Sequence, residues 1–179
     1  DSEKVLEVEG TLVARGTSGN SITFTSSAAS PAAGDWGYIE FKSSSVNAVF
    51  DGSGNYASGS ILEYVTIQYG GGVGYGQILT SSASPFINNS TIKHSDQRPI
   101  YIFNSGSDGT IKIANSTINN NRYGILCTVG SGNECYIHNN TITSNSSTAI
   151  STSGAGNVTI SNNTISGNTG IAVLFENSG

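Results

Sequence analysis

The chain has few charged side chains and no long apolar segment. Asp, Glu, Lys and Arg make up 11% of its 179 residues, and the formal net charge is −5. It therefore lacks the basic surface that binds nucleic acid or anionic lipid through counterion release, and we expect no nucleic-acid partner. Because no apolar run approaches the roughly 18 residues that span a bilayer, we expect no membrane insertion either.

Cysteine is equally scarce. Cys127 and Cys135 are the two cysteines of the chain and flank a Gly-Ser-Gly-Asn turn. Since no histidine pair lies near them they do not make a zinc site, and no metal or other cofactor is expected. They could close a loop as a disulfide in an extracellular protein, or serve as two small core residues. The spacing is compatible with both.

Glycine, serine, threonine and asparagine take the place of the missing charged residues, with 23 glycines in all. This composition disfavours helix and favours short strands joined by polar turns. It could also indicate disorder, but isoleucine recurs too regularly for a disordered chain.

A motif close to Ile-x-Asn-Asn-Thr-Ile recurs at nearly constant spacing. Its last isoleucines are separated by 26, 24 and 23 residues, and a fainter copy ends 25 residues before the first; the five are Ile67, Ile92, Ile118, Ile142 and Ile165. A period in this range is typical of solenoids. A second isoleucine follows each of the last four copies of the motif, and a further apolar position precedes the motif. Each repeat thus has three apolar positions, and three short strands at about 3.3 Å per residue fit one repeat.

Polar residues flank the repeated isoleucines at fixed distances. Three residues before them stand Asn89, Asn115, Asn139 and Asn162, and three residues after them stand Ser95, Asn121, Asn145 and Asn168. Asparagine tolerates left-handed backbone, and its amide can bond its counterpart on the next coil. The pattern therefore predicts asparagine ladders at the turns.

The chain before residue 61 is less regular. We expect a single domain over 1–179, in which 1–60 form irregular N-terminal coils with an inserted loop at 42–60, and 61–179 form regular repeats. Within the insertion, 50–55 resembles a calcium loop but lacks the downstream glutamate, so we interpret it as a turn. Trp36 is expected to plug the core near one end. A solenoid needs polar caps at its ends, and the sequence shows none. We therefore expect either that this is a fragment of a longer chain or that it associates end to end through the Phe175 end.

The stretch from Val158 to Ile171 resembles the repeat of right-handed parallel β-helix proteins of the pectate-lyase-like superfamily. Residues 10–17 and 34–41 are similar to β-helix domains of secreted or surface-attached microbial proteins. The resemblance implies an all-β, right-handed parallel β-helix with about three short strands per coil, outside the cell or on its surface. It says less about activity, because this fold carries lyases, hydrolases, adhesins and spacers.

Charged residues gather in the turn after Ile92 and in the corresponding turn one coil later. The candidate ligand-binding residues there are Lys93, His94, Asp96, Arg98, Arg122 and Tyr123. Such side chains could orient a sugar carboxylate or donate a proton, or they could be a solvated turn whose charges pair with each other. No second carboxylate is placed for a glycosidase-like pair, so we assign no catalytic residue. The tyrosines that could stack on sugars are Tyr69, Tyr75, Tyr101 and Tyr123.

These observations favour a non-catalytic structural or adhesive module of an extracellular or cell-surface protein, with a polysaccharide or cell-surface glycan as its partner. A polysaccharide lyase or glycoside hydrolase is the first alternative. Ice binding is the second, because an outward threonine column precedes the repeated isoleucines: Thr66, Thr91, Thr117, Thr141 and Thr164. The column two residues later is mixed, however, which favours β-propensity as the explanation. It reads Gln68, Lys93, Asn119, Thr143 and Ser166.

Overall fold

The structure, a computed structural model, describes residues 3–104 and 109–176. Within these ranges the regular secondary structure consists of 21 short β-strands, numbered in chain order. Most of them read as isoleucine or valine alternating with threonine or another polar residue, the pattern of a strand with one buried face. Asparagine, glycine and serine occupy the turns between them.

Three parallel sheets contain nineteen of the strands, and they run along the molecule side by side. Sheet A consists of β1 (Leu6–Val8), β4 (Ile39–Phe41), β9 (Gly76–Ser81), β12 (Arg98–Asn104), β15 (Ile125–Val129), β18 (Ile150–Ser153) and β21 (Val173–Phe175). Sheet B consists of β2 (Val13–Arg15), β7 (Ile61–Glu63), β10 (Phe86–Asn88), β13 (Thr110–Ala114), β16 (Glu134–His138) and β19 (Asn157–Ser161). Sheet C consists of β3 (Ile22–Phe24), β8 (Val65–Gln68), β11 (Thr91–Lys93), β14 (Thr117–Asn119), β17 (Thr141–Thr143) and β20 (Thr164–Ser166).

Each coil of the chain contributes one strand to each sheet, and every strand pairs in parallel with the equivalent strand of the next coil. In sheet C, for example, Ile92 lies opposite both Ile67 and Ile118. The molecule is thus a right-handed parallel β-solenoid with three strands per coil. This confirms the predicted fold class.

The core lies between the three sheets and is built from inward-facing columns. Ile67, Ile92, Ile118 and Ile142 are fully buried in it. Trp36 packs against the same core, as predicted, and its Nε1 donates a hydrogen bond to the carbonyl oxygen of Gln68 at 2.8 Å.

The two cysteines face this core from two different sheets, Cys127 from β15 of sheet A and Cys135 from β16 of sheet B. Both are free thiols with no exposed surface. Burial raises the pKa of the Cys135 thiol well above its ordinary value. The structure therefore matches the interpretation of the cysteines as small core residues.

Two of the three turns in each regular coil are sharp corners, one between sheets B and C and one between sheets C and A. At both, a residue with positive φ is followed by a residue that is buried, or half-buried in the last coil. The left-handed residues of the first corner are Tyr64, Asn89, Asn115, Asn139 and Asn162, and those of the second are Tyr69, His94, Asn120, Ser144 and Gly167. Asparagine and glycine suit these positions because they adopt left-handed backbone at little cost.

From Asn89 and His94 onward, the residue after each left-handed position makes the ladder. At the second corner the ladder is the predicted one: Ser95 and Asn121 donate backbone N–H groups to Oδ1 of Asn121 and Asn145, at 2.9 and 3.1 Å. At the first corner our prediction is wrong by one residue. The ladder there is Ser90, Ser116, Asn140 and Asn163. The predicted set of Asn89, Asn115, Asn139 and Asn162 supplies the left-handed turn instead.

The insertion at 42–60 is more than a polar loop. It contains an antiparallel hairpin, β5 (Val49–Phe50) and β6 (Tyr56–Ser58), that lies on the outer face of sheet B. Phe50 packs edge-on against Phe86 of β10, with ring centroids 5.2 Å apart, and covers a second, smaller apolar cluster. Residues 51–55 form the predicted turn, because the Asp51 carboxylate accepts hydrogen bonds from the backbone N–H groups of Ser53 and Asn55.

Within residues 3–104 and 109–176, no helix has the length and hydrophobicity of a membrane-spanning segment.

Candidate functional site

Four of the six predicted site residues meet where the second corner leads into sheet A. Asp96 forms an ion pair with Arg122, with Asp96 Oδ1 and Arg122 Nη1 3.7 Å apart. The guanidinium carbons of Arg98 and Arg122 lie 5.2 and 5.4 Å from the ring centroid of Tyr123. The turns of two successive coils therefore build one cationic and aromatic cluster.

The other two predicted residues lie elsewhere. Lys93 belongs to β11 of sheet C, in register with Gln68 and Asn119. His94 occupies the left-handed corner, where its ring stacks on Tyr69 with a centroid distance of 5.2 Å. Burial, helped by the charge of Lys93, lowers the pKa of His94. The structure thus assigns His94 a corner contact and leaves Lys93 on another face.

An aromatic strip continues the cluster across the outer face of sheet A; we use this name for Tyr75, Tyr101, Phe103, Tyr123 and Arg98. The Tyr75 and Tyr101 centroids are 6.1 Å apart, and those of Tyr101 and Phe103 are 6.4 Å apart. The Arg98 guanidinium lies 5.9 Å from the Tyr101 centroid. Tyr75 and Phe103 are 53% and 44% exposed, so aromatic surface is open to solvent.

Two depressions flank the strip. One, of about 450 Å³, is lined by residues that include Tyr38, Glu40 and Phe103. The other, of about 420 Å³, is lined by residues that include Arg98, Tyr123 and Thr128. Tyr101 lines both, so the two depressions adjoin on sheet A, and we call them together the groove of sheet A. Each is of a size typical of ligand sites.

The Glu40 carboxylate, which lines the first depression, is already engaged. Glu40, which is 7% exposed, accepts a hydrogen bond from the Ser81 hydroxyl at 2.7 Å and pairs with Lys42 at 2.9 Å. Hydrogen bonds to Glu40 and Glu7 raise the pKa of Lys42, so this ammonium keeps its charge. Burial raises the pKa of the neighbouring Tyr38, which keeps its phenol proton as a donor.

Arg98 differs from the other basic residues at the groove. Among the described residues no carboxylate lies within ion-pair distance of its guanidinium, whereas Arg122 and Lys42 both have acidic partners. In the same part of the chain no group of three or more His, Cys, Asp or Glu side chains is placed to hold a metal ion. Among the described residues, the groove therefore offers aromatic faces, paired charges and one guanidinium without an acidic partner.

The family model described as "Right handed beta helix region" matches residues 17–165. The chain belongs to this right-handed β-helix family. No curated protein and no solved structure matches it significantly. Membership is compatible with the resemblance to the pectate-lyase-like superfamily and assigns the fold, which several activities share.

Sequence reasoning missed Tyr38, Glu40 and Phe103 as groove residues of this β-helix. The signal for Phe103 is present in β12, where Tyr101 and Phe103 alternate with the fully buried Ile100 and Ile102. Alternation assigns both rings to the outer face. That Tyr38 and Glu40 approach them follows only from the order of sheet A, in which β4 pairs with β9 and β9 with β12.

Proposed function

We propose that this β-helix is a non-catalytic, extracellular glycan-binding module that holds a polysaccharide chain in the groove of sheet A. The observation that carries the proposal is the aromatic strip: Tyr75, Tyr101 and Phe103 lie in a row. The Arg98 guanidinium lies 5.9 and 5.2 Å from the ring centroids of Tyr101 and Tyr123. Aromatic rings with exposed faces supply apolar area to ligands that also need hydrogen bonds. Sugar rings, with apolar faces and polar edges, are such ligands.

The rigidity of the β-helix supports this function. Tyr101 is held between Leu79 and Leu126 of the neighbouring strands, and Phe103 between Ser81 and Thr128. Backbone ladders fix these positions before any ligand arrives, so little ordering entropy is lost on binding. A chain of sugars lying across the coils would meet one row of side chains per coil.

Arg98 suggests the type of sugar. A guanidinium with aromatic contacts but no acidic partner among the described residues can donate two parallel hydrogen bonds to a carboxylate. A glycan that carries uronic acid units would supply that carboxylate. The overall charge of −5 opposes a polyanion at long range, so binding would depend on this local contact and weaken less with salt than binding to a basic surface.

The experiment is a glycan array followed by calorimetric titration of the best ligand. Tyr101→Leu removes the ring but places in the column the same residue as its neighbours Leu79 and Leu126, so the sheet should tolerate it. We expect Tyr101→Leu to weaken binding by about tenfold, a loss typical of one aromatic contact, and Arg98→Gln to remove the preference for uronic acid. Lys93→Gln, on sheet C, is the matched control and should bind like the native protein.

Two results would reject the proposal. The first is that the best ligand binds Tyr101→Leu and Arg98→Gln with the same affinity as it binds the native protein. The other is release of new reducing ends or unsaturated products from a bound polysaccharide, which would make the protein a hydrolase or a lyase.

Ice binding is a second candidate, favoured by one observation. The outward threonine column extends to six coils, since Thr23 pairs with Thr66 in sheet C. The adjacent column contains the charged Lys93, which disrupts a regular array. Thermal hysteresis in a freezing assay that is lost in Thr117→Lys would favour this function, and its absence would leave the glycan proposal as the better one.

A further inference from the structure

A crevice of about 690 Å³ lies on sheet B, on a different face from the groove of sheet A. We call it the hairpin crevice. Its wall is the β5–β6 hairpin and its floor is formed by the outward residues of β13 and β16. The residues that line it include Phe50, Asp51, Lys112, Glu134, Tyr136 and His138.

The wall is anchored to the floor. The Lys112 ammonium lies 3.6 Å from the ring centroid of Phe50 and donates a hydrogen bond to the carbonyl oxygen of Gly54 at 3.4 Å. Asp51 is held in its own turn by the N–H groups of Ser53 and Asn55. The hairpin wall of the crevice is therefore held in place before a ligand binds.

The floor is equally fixed. Lys112 lies opposite Tyr136 in the parallel register, and Thr110 lies opposite Glu134, whose Oε2 accepts the Thr110 hydroxyl at 3.0 Å. The alternate residues of the two strands, among them Ile113 and Ile137, are fully buried in the core. Rotation of either strand is thus excluded, and the outward side chains keep their positions.

The lining residues interrupt the repeat. In the next strand, β19, Tyr136 is replaced by Thr159 and His138 by Ser161. The larger side chains thus occur beside the hairpin and are absent from the following coil. The fold itself does not require them, since β19 forms the same ladder with small polar residues.

The charges around the crevice restrict its ligand. Asp51 and Glu134 disfavour an anion, while Lys112 in the floor disfavours a cation. Burial, helped by the charge of Lys112, lowers the pKa of His138, so at neutral pH its imidazole is uncharged and offers one donor and one acceptor. Hydroxyl groups, which both donate and accept, match such a mixture of partners.

We propose that the hairpin crevice is a second binding site, for a short uncharged saccharide whose ring contacts Tyr136 and whose hydroxyls bond Glu134 and His138. The site shares no lining residue with the groove of sheet A. With two sites on different faces, one module could hold two glycan chains together.

The test is a titration of isotope-labelled full chain, followed by amide chemical shifts, with neutral gluco-, xylo-, manno- and galacto-oligosaccharides. Oligogalacturonate serves as the charged comparison. We expect a neutral saccharide to shift the amides of 51–54, 110–114 and 134–138. His138→Ser and Tyr136→Thr introduce the residues found one coil later, so both should fold, and each should weaken binding by about tenfold or more.

Tyr101→Leu separates this site from the first one. Binding in the crevice should be unchanged in that variant, whereas binding in the groove of sheet A should fall. The inference is overturned if no neutral saccharide shifts the crevice amides, if the charged oligomer binds there more tightly, or if Tyr101→Leu abolishes the crevice signal. It also fails if affinity is the same in His138→Ser, Tyr136→Thr and the native chain.

Discussion

Asn121 and Asn145 are joined by two hydrogen bonds across neighbouring coils. The backbone N–H and the side-chain Nδ2 of Asn121 both donate to Oδ1 of Asn145, at 3.1 and 3.0 Å. Asn145 Nδ2 in turn donates to the Ile118 carbonyl oxygen at 3.2 Å and to Oδ1 of Asn168 at 2.9 Å. Each ladder side chain thus satisfies backbone groups that the corner would otherwise leave unpaired.

Asn145→Ala should lower the free energy of unfolding by about 2–3 kcal/mol, since it leaves buried polar groups without partners. Urea unfolding followed by circular dichroism measures the change. Asn157→Ala, at an exposed strand end, is the control and should change the free energy by less than about 0.5 kcal/mol. Equal effects of the two substitutions would contradict a stabilising role for the ladder.

The left-handed backbone at the corners predicts that glycine and valine substitutions there differ in their effect on stability. Ser144 has φ 56°, and the equivalent residue one coil later is Gly167 with φ 64°. Ser144→Gly should therefore be neutral or slightly stabilising, whereas Ser144→Val should destabilise the fold by about 1–2 kcal/mol, because β-branched residues are strained in this conformation. Thermal unfolding of the two variants distinguishes them, and a stable valine variant would refute the assignment.

Stability should fall on acidification below neutrality. The pKa values of His94 and His138 are lowered from 6.5 in the folded protein by burial, so the unfolded chain binds protons more readily. Their contribution is present above about pH 6.5 and is lost as the pH falls from there toward the folded pKa values. The lowered pKa values of Asp35 and Asp51 act in the same direction, but only below 3.8.

Urea midpoints at about pH 7.5 and about pH 5 measure this slope. The double variant His94→Asn, His138→Ser carries the residues of equivalent coil positions, Asn120 and Ser161, and should flatten it. An unchanged slope in the double variant would assign the acid sensitivity to other groups.

Burial of the two thiols predicts that they react slowly with thiol reagents in the native state. Cys127 and Cys135 have no exposed surface, so a water-soluble thiol reagent should leave the folded protein unlabelled and react with two thiols after unfolding in denaturant. Rapid labelling of native protein would contradict the buried arrangement. An unfolded chain without reactive thiols would show that the cysteines are bonded to each other.

Much of the candidate site could be anticipated from sequence. The spacing of Ile92 and Ile118 implies that the turns after them lie one above the other, and Asp96, Arg98, Arg122 and Tyr123 do meet there. Closeness along the chain predicts that Lys93 and His94 join them. A sharp corner, however, separates sheet C from sheet A at His94, so neighbours in sequence belong to different faces.

The sequence by itself determined the solenoid, because regularly spaced isoleucines and corner asparagines repeat the same local preferences in every coil. Such preferences depend on the type of each residue and can be inferred without knowing its distant neighbours. Only the tertiary structure decided which residue of each asparagine pair faces inward and where the hairpin lies. It also decided which rings line the groove. These depend on register between strands about 25 residues apart in the chain, where a shift of one residue exchanges the inner and outer faces.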